Sequence, residues 1–396
     1  MGRHFRNITF KVHTWLGLHL SLFLAFMFLT GSILAVSRDL EVAFNPKIWT
    51  SLSDTERTAS FGSIYETVSS SEGVRAVSII EKQPGTRLAD LAYVYSTRGA
   101  ETVWIDPASS AVVDVERGPG FAGILSVLHE TLMTDHLLGY LLVSGTSFLL
   151  LALIVSGLVS YKRFWKGFLR RPTDRLGRRG WFGGLHRLLA LWSGALMLVI
   201  ALTTVIFFLA GLGINGQTPS PPPAQERADI LPEGFGEVTI DQAEAVARTA
   251  LPGFAPNVMF LPRNKREGIT FVGNWDGGAQ LIGPAQVFID PVTMDLLATF
   301  TPADNKGIAR LGDLVDHLHY GTWGGLPSRL LWFGLGLVGF GVAVSGILTF
   351  SARQDGIHHD QVSAIRRVWT ALGIFRWAYA LLVLGMIAST IYHYAL

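Results

Sequence analysis

The sequence predicts an α-helical polytopic membrane protein, with about five transmembrane helices, an internal duplication and two small α+β domains between the spans. Three observations predict it. Of 396 residues, 49% are hydrophobic and only 16% charged, against about 25% charged in soluble domains. The deficit is uneven: charge is nearly absent from five windows and ordinary between them. Short motifs also recur in the same order in the two halves. This composition excludes a plain soluble enzyme, a disordered chain and a nucleic-acid binder, and a net charge of +2 points to no particular partner. There is no cysteine. That removes disulfides, thiolate metal sites, cysteine-ligated iron–sulfur clusters and haem attached through C-x-x-C-H. Any transition metal or haem must lean chiefly on the 11 histidines.

Five stretches reach the roughly 20 apolar helical residues that cross a bilayer. They run from about Trp15 to Val36, Leu137 to Tyr161, Leu188 to Leu212, Leu330 to Phe350 and Ala371 to Tyr392. The first is followed by Ser37, Arg38 and Asp39 without a small-residue cleavage site, so it reads as an anchor. The chain then divides into an N-terminal tail with the first span (1–36), a first module (37–136), the second span (137–161), a basic segment (162–187), the third span (188–212), a second module (213–328), the fourth span (329–350), a short segment (351–370) and the fifth span (371–396). The segment between spans two and three carries Lys162, Arg163, Lys166, Arg170, Arg171, Arg175, Arg178 and Arg179 with one acid, Asp174. Arg3, Arg6 and Lys11 at the N-terminus and Arg353, Arg366 and Arg367 before span five lie on the same side. The positive-inside rule puts that side, with the N-terminus, in the cytoplasm. Both modules hold more Asp and Glu than Lys and Arg, and fall on the opposite side.

The duplication rests on several pairs. Val155-Ser-Gly157 ends span two and Val344-Ser-Gly346 ends span four. Ile105-Asp-Pro107 is echoed by Ile289-Asp-Pro291, and Leu128-His129 by Leu318-His319. The step from His13 to Leu29-Thr-Gly31 equals that from His186 to Leu202-Thr-Thr204. Each half reads span, module, span in one orientation, and span five has no counterpart. Parallel repeats often build sites at their interface. Module one offers a short helix over Phe61–Ser70 and β-like runs at Val74–Ile80, Leu91–Tyr95, Thr102–Ile105 and Ala111–Val115. Module two offers a helix through Thr249, with Asp241 as N-cap and Glu244 in the capping-box position. Runs follow at Val258–Leu261, Ile269–Val272, Ala285–Ile289 and Leu296–Phe300. The two Asp-Pro pairs read as turns, and Ser220–Pro223 as an extended spacer. No nucleotide loop or paired-carboxylate pattern is present.

Polar residues at membrane depth usually carry function. His13 and His186 fall at the cytoplasmic ends of spans one and three, and His129 and His319 at the outer ends of spans two and four. Each face therefore holds a pair with one member from each half. Two imidazoles on facing helices can supply both axial ligands of haem b, which suits a cysteine-free apolar cleft lined with small residues. Two pairs give two haems. The bland alternative is interfacial histidines and a Gly/Ser helix-packing surface. His19 is an alternative inner ligand. His136, seven residues after His129, shares its face on an unbroken helix and competes there. His317 reads as a surface or substrate residue. The tryptophans near span ends read first as an aromatic belt.

These residues resemble the PepSY-associated transmembrane family, the iron-regulated membrane proteins that include ferric-siderophore reductases of the bacterial inner membrane. The resemblance is carried by His13-Thr-Trp-Leu-Gly17, Leu29-Thr-Gly31, Leu185-His186-Arg187 and Leu318-His319-Tyr-Gly-Thr-Trp-Gly-Gly325 with Arg329-Leu-Leu-Trp332, over roughly 5–352. It implies PepSY-like modules in the periplasm and a two-haem core ligated by His13, His129, His186 and His319. Electrons would pass outward to ferric iron held by a siderophore. His317, Tyr320, Trp323 and Arg329 are candidate substrate contacts in a cleft under the modules. With no donor domain in the chain, a quinol, a flavoprotein or a soluble cytoplasmic reductant must feed it. Departures from the pattern are Thr204 in the place of Gly31, the extra His19 and His136, and the fifth span. Two rivals stay open: a non-haem protein that binds or transports metal or siderophore, and a regulatory PepSY scaffold.

Overall fold

The computed structural model describes residues 3–118, 120–161, 166, 168–173, 177–216, 219–275, 283–354 and 364–394. Lys162, Arg163 and Arg175 of the basic run, and His358 and His359, lie outside the described residues. In chain order the elements are α1 (Arg3–Ala35), α2 (Ser37–Phe44), α3 (Phe61–Ser69), β1 (Val74–Glu81), β2 (Asp90–Ser96), β3 (Gly99–Ile105), β4 (Val112–Arg117), α4 (Gly120–Thr131), α5 (His136–Ser160) and α6 (Gly177–Gly211). Then follow α7 (Glu237–Ala250), β5 (Phe254–Phe260), β6 (Ile269–Trp275), β7 (Ala285–Ile289), β8 (Leu296–Phe300), α8 (Ala309–Tyr320), α9 (Gly325–Gln354), α10 (Ala364–Ala371) and α11 (Phe375–Tyr394).

Two units emerge. One holds residues 1–36, 125–214 and 315–396, and the other 37–124 and 215–314. In the helical unit α1, α5, α6 and α9 are each long and apolar enough to cross a membrane. A fifth crossing counts only if α10 and α11, bent by 107° at the break between them, are taken as one span. Phe28, Leu150, Met197 and Ala201 form a small buried cluster among these helices. The helices overrun the apolar windows at the basic end. His13 and His186 therefore sit inside α1 and α6, well past the first turn, and do not head them.

The unbroken helix that would let His136 share the face of His129 is not formed. Leu132 and Met133 both have φ of 55°, a left-handed conformation that costs β-carbon-bearing residues energy and ends α4. Asp135 then starts α5 by accepting the N–H of Leu138 at 3.0 Å. His129 belongs to a short helix of its own, as His319 belongs to α8. Both short helices carry their histidines in the helical unit.

In the second unit the two modules share one eight-stranded antiparallel sheet, ordered β4-β3-β2-β1-β5-β6-β7-β8. Each module supplies one helix and a four-strand meander. The modules join where β1 pairs β5, with Ile80 opposite Met259. The helices and strands bury one shared core: Phe61, Ile64 and Ile80 from the first module pack with Ile240, Met259, Phe271 and Ile289 from the second. The rings of Phe61 and Phe271 are 5.7 Å apart.

Asp241 does not cap its own helix. That helix starts earlier, at Glu237 after Gly236. The Asp241 carboxylate instead accepts from the Gly62 N–H at 3.1 Å and the Ser60 hydroxyl at 3.2 Å. It thus serves the first turn of α3, where N–H groups lack intrahelical partners. Glu244 pairs with Arg248 one turn on, at 2.6 Å. The two Asp-Pro turns are formed as expected: Asp106 accepts from Ala108 and Ser109 N–H groups, and Asp290 from those of Val292 and Thr293.

Replacing Asp241 by Ala should cost about 1 kcal/mol, the usual loss for a helix N-terminal acceptor, and lower the thermal midpoint of the chain, with Asn restoring part of it. At Asp290 burial works against ionisation, but the N–H groups of Gln225, Val292 and Thr293 and the charge of Arg227 outweigh it and hold the carboxyl below its ordinary value. A carboxyl lowered on folding stabilises the fold above its unfolded value of about 3.9, and that contribution is lost as pH falls through the folded value. Amide exchange at Val292 and Thr293, relative to intrinsic rates, should therefore accelerate on acidification below about pH 4, and Asp290→Asn should abolish that dependence.

Candidate functional site: two histidine pairs in the helical unit

The first pair joins α1 and α6. The rings of His13 and His186 have centroids 6.3 Å apart and planes inclined at 66°. Each ring is seated on a helix from its own half of the sequence. His13 Nδ1 lies 3.1 Å from the Leu153 carbonyl oxygen and 3.1 Å from Ser156 Oγ of α5. His186 Nδ1 lies 2.9 Å from the Val342 carbonyl oxygen and 3.5 Å from Ser345 Oγ of α9. The seat is the same three-part pattern twice: a carbonyl at i, a serine at i+3 and a glycine at i+4. The glycine is a matter of space. A β-carbon at Gly157 would lie 3.1 Å from His13 Cε1, and one at Gly346 would lie 3.4 Å from His186 Cε1.

A carbonyl oxygen can only accept a hydrogen bond. Nδ1 therefore carries the proton in both rings, and Nε2 keeps its lone pair. The second pair reaches the same tautomer by another route. His129 Nδ1 lies 2.8 Å from Thr30 Oγ1 of α1, and His319 Nδ1 lies 2.9 Å from Thr203 Oγ1 of α6. Each threonine hydroxyl gives its one proton to carbonyls a turn back, Phe26 and Met27 for Thr30, Val199 and Ile200 for Thr203. The hydroxyl is left to accept from the imidazole. Among the described residues no hydrogen bond is made at any of the four Nε2 atoms. A bond at Nδ1 that fixes the tautomer and orients the ring is what a metal-binding imidazole needs.

Gly31 gives His129 its room, since a β-carbon there would lie 2.9 Å from Cε1. The other half has Thr204, whose hydroxyl turns back to Ile200 O at 2.7 Å. His319 is flanked instead by Phe207, 5.0 Å away, and Tyr320, 5.6 Å away.

A cavity of about 670 Å³ opens between α1, α5, α6 and α9, within the size range of ligand sites. His13 and His186 both line it, with Gly17, Gly157, Gly346 and mostly aliphatic side chains around them. The residues fit a haem on three counts. The donor set is two neutral imidazoles with bare Nε2. The 6.3 Å between the ring centroids is close to the roughly 6.2 Å that two imidazoles holding one metal ion between them would have, at about 2.0 Å per metal–nitrogen bond and about 1.1 Å from nitrogen to ring centre. The walls are apolar, as a macrocycle's faces require.

The other expected site residues are placed apart from these pairs. His19 turns to Trp15 at 4.9 Å and Phe375 of α11 at 4.5 Å, away from the cavity. His136 is exposed and stacks on Tyr140 at 6.2 Å, so neither substitutes for its neighbour in a pair. His317 bonds Thr322 Oγ1 at 2.7 Å, and Tyr320 stacks on Phe207. Trp323 packs edge-on against Trp332, whose indole N–H donates to Leu318 O at 2.9 Å. Arg329 lies early in α9. Ser156, Ser345, Thr30 and Thr203 are the residues that sequence reasoning did not single out. Their signal was available, since each lies inside a repeated motif.

A family model of the PepSY-associated TM region matches residues 10–353. The chain belongs to that family. The family match takes in both histidine pairs and their seats and stops at Arg353, before α10 and α11. No curated protein matches the chain.

Nitrogen-15 spectra of the histidine-labelled protein produced without haem should show His13, His129, His186 and His319 at neutral pH with protonated Nδ1 and bare Nε2. Thr30→Val should disturb the His129 signals alone, and Thr203→Val those of His319.

Proposed function

We propose that this multi-pass membrane protein is a b-type dihaem electron-transfer protein of the bacterial inner membrane that reduces ferric iron, held by a siderophore, on the periplasmic side. The observation that carries the reading is the first pair: two imidazoles from different helices, 6.3 Å apart, both with Nδ1 tied to a helix carbonyl and both facing one apolar cavity. A lone metal ion calls for three or four converging side chains, and among the described residues no group of three His, Asp or Glu converges. The histidines come in twos, which is the stoichiometry of axial ligation.

The duplication explains why there are two such pairs. In this reading each half contributes one ligand to each haem. His13 and Thr30 are seventeen residues apart on α1, as His186 and Thr203 are on α6. That step is about 25 Å of helix, so the two pairs lie toward opposite faces of the bilayer. The basic segments put the first pair toward the cytoplasm, and the modules face the periplasm.

Bound haem supplies a one-electron couple. The protein's own part is to hold the rings in the Nδ1–H tautomer, to keep water from the apolar cavity, and to set one site toward each face. One electron converts ferric to ferrous iron, which is softer and less charged. Hard oxygen ligands then hold it less tightly, and no bond within the chelator is broken. The electron comes from a separate donor, a quinol or a cytoplasmic reductant. His317, Tyr320, Trp323 and Arg329, close in sequence to the second pair, are the candidate contacts for the iron chelate.

The purified protein should show a reduced-minus-oxidised b-type spectrum and two haems per chain by pyridine haemochrome. His129→Ala or His319→Ala should lose one haem and ferric-siderophore reduction while the other haem persists. Absence of the spectrum, or retention of both haems in those variants, would overturn the reading.

A further inference from the structure

The cavity around the first pair is apolar with one exception. Of the described residues that line it, the only charged ones are Arg187 and Arg353, and no Asp or Glu joins them. Both are half-buried. Each keeps its Nε shielded from solvent and without a hydrogen-bond partner among the described residues. Arg187 donates through Nη2 to Arg170 O at 3.1 Å and lies over the Tyr161 ring at 5.7 Å. Arg353 lies over the Phe10 ring at 5.3 Å. A buried guanidinium N–H left without an acceptor is costly, and two such groups lining one cavity without an acidic side chain call for an anion.

Resting on the reading of the His13–His186 cavity as a haem site, we infer that Arg187 and Arg353 hold the two propionate carboxylates of that haem and fix which way round it binds. The seats of His13 and His186 match residue for residue, so the imidazoles alone give no preference between two orientations of the macrocycle. The arginines break that equality. Both come from the second half of the chain: the position that matches Arg187 is Thr14, and the one that matches Arg353 by the same sequence offset is Phe164. Guanidinium pairs well with carboxylate because its planar fork presents parallel N–H groups. The cavity then offers two guanidinium groups among otherwise uncharged, mostly apolar lining residues. A porphyrin is built the same way, with both carboxylates on one edge.

The test uses the full chain in a His129→Ala, His319→Ala background, so that only this cavity is scored. The chain is produced without haem, placed in phosphatidylcholine nanodiscs, and titrated with haem b or with its dimethyl ester, which keeps the iron and the macrocycle and removes both charges. The chain with both arginines should bind haem at least about tenfold more tightly than the ester, since a hydrogen bond to a charged group is worth that much. Arg187→Gln with Arg353→Gln should abolish the preference by weakening haem and leaving the ester unchanged, and Arg353→Lys should keep part of it. The electron paramagnetic resonance of the ferric haem should pass from one low-spin species to two in the glutamine variant. Equal binding of haem and ester by the chain with both arginines would overturn the inference, as would a preference that survives the double glutamine change. Equal binding that varies with lipid headgroup charge would mean the arginines serve lipid phosphates instead. If His13→Ala with His186→Ala binds haem unchanged, the haem reading of the cavity itself fails.

Discussion

Each functional imidazole depends on one hydrogen bond, from its Nδ1–H to an oxygen on a different helix. That bond decides the tautomer, the direction of Nε2 and the distance between partners. It also constrains the helices. For His13 to reach the Leu153 carbonyl, α5 must present a glycine one turn later and a serine beside it. For His129 to reach Thr30, α4 must stop and α5 must begin again, so that the ring is carried by a short helix with its own direction. The left-handed Leu132 and Met133 and the cap at Asp135 therefore serve the histidine. The same economy recurs around His186 and His319. Four rings are held by two kinds of acceptor, carbonyl at one end of the spans and threonine hydroxyl at the other.

Much of this was legible in the amino-acid order because it is local. Of the five apolar windows four fall on helices long enough to cross a membrane and the fifth on the bent pair α10 and α11, the β-like runs fall on the eight strands, and the Asp-Pro pairs give their turns. The four paired histidines stand out by repetition. What could not be read depends on a partner far along the chain. Ser156-Gly157 and Ser345-Gly346 are visible as a repeat, yet only the helix opposite makes them seats for imidazoles. Asp241 has the right spacing to Glu244 for a capping box, but its helix begins four residues before it, and the carboxylate serves α3 instead. The helix break before His136 was within reach: Thr134-Asp135 is a start signal, and only the apolar stretch around it argued for continuity. Nothing local to Ile80 or Met259 marks them as neighbours across the centre of a sheet.

Arginine has a separate logic here. The basic residues clustered at the N-terminus and between spans two and three are informative by their sign, not their position, and those follow from topology. Arg187 and Arg353 differ because they line a cavity with no acidic side chain. A charge there is a statement about what the cavity is meant to contain. The histidines of the cavity are seated alike in the two halves, and the arginines have no counterpart in the first half.

The central seam of the sheet has a consequence for how the protein is made. Ile80 and Met259 are paired, but two membrane-crossing helices, α5 and α6, lie between them in the chain. During synthesis the first meander exists while its neighbour has not yet been translated, and β1 waits with an open edge. Open edges recruit other strands, and contacts this far apart in sequence form slowly. Completion of the sheet is therefore tied to correct insertion of the intervening helices. A chain in which only one of the two crosses strands the two meanders on opposite sides of the bilayer and leaves β1 exposed, which marks that misassembled product for aggregation or proteolysis.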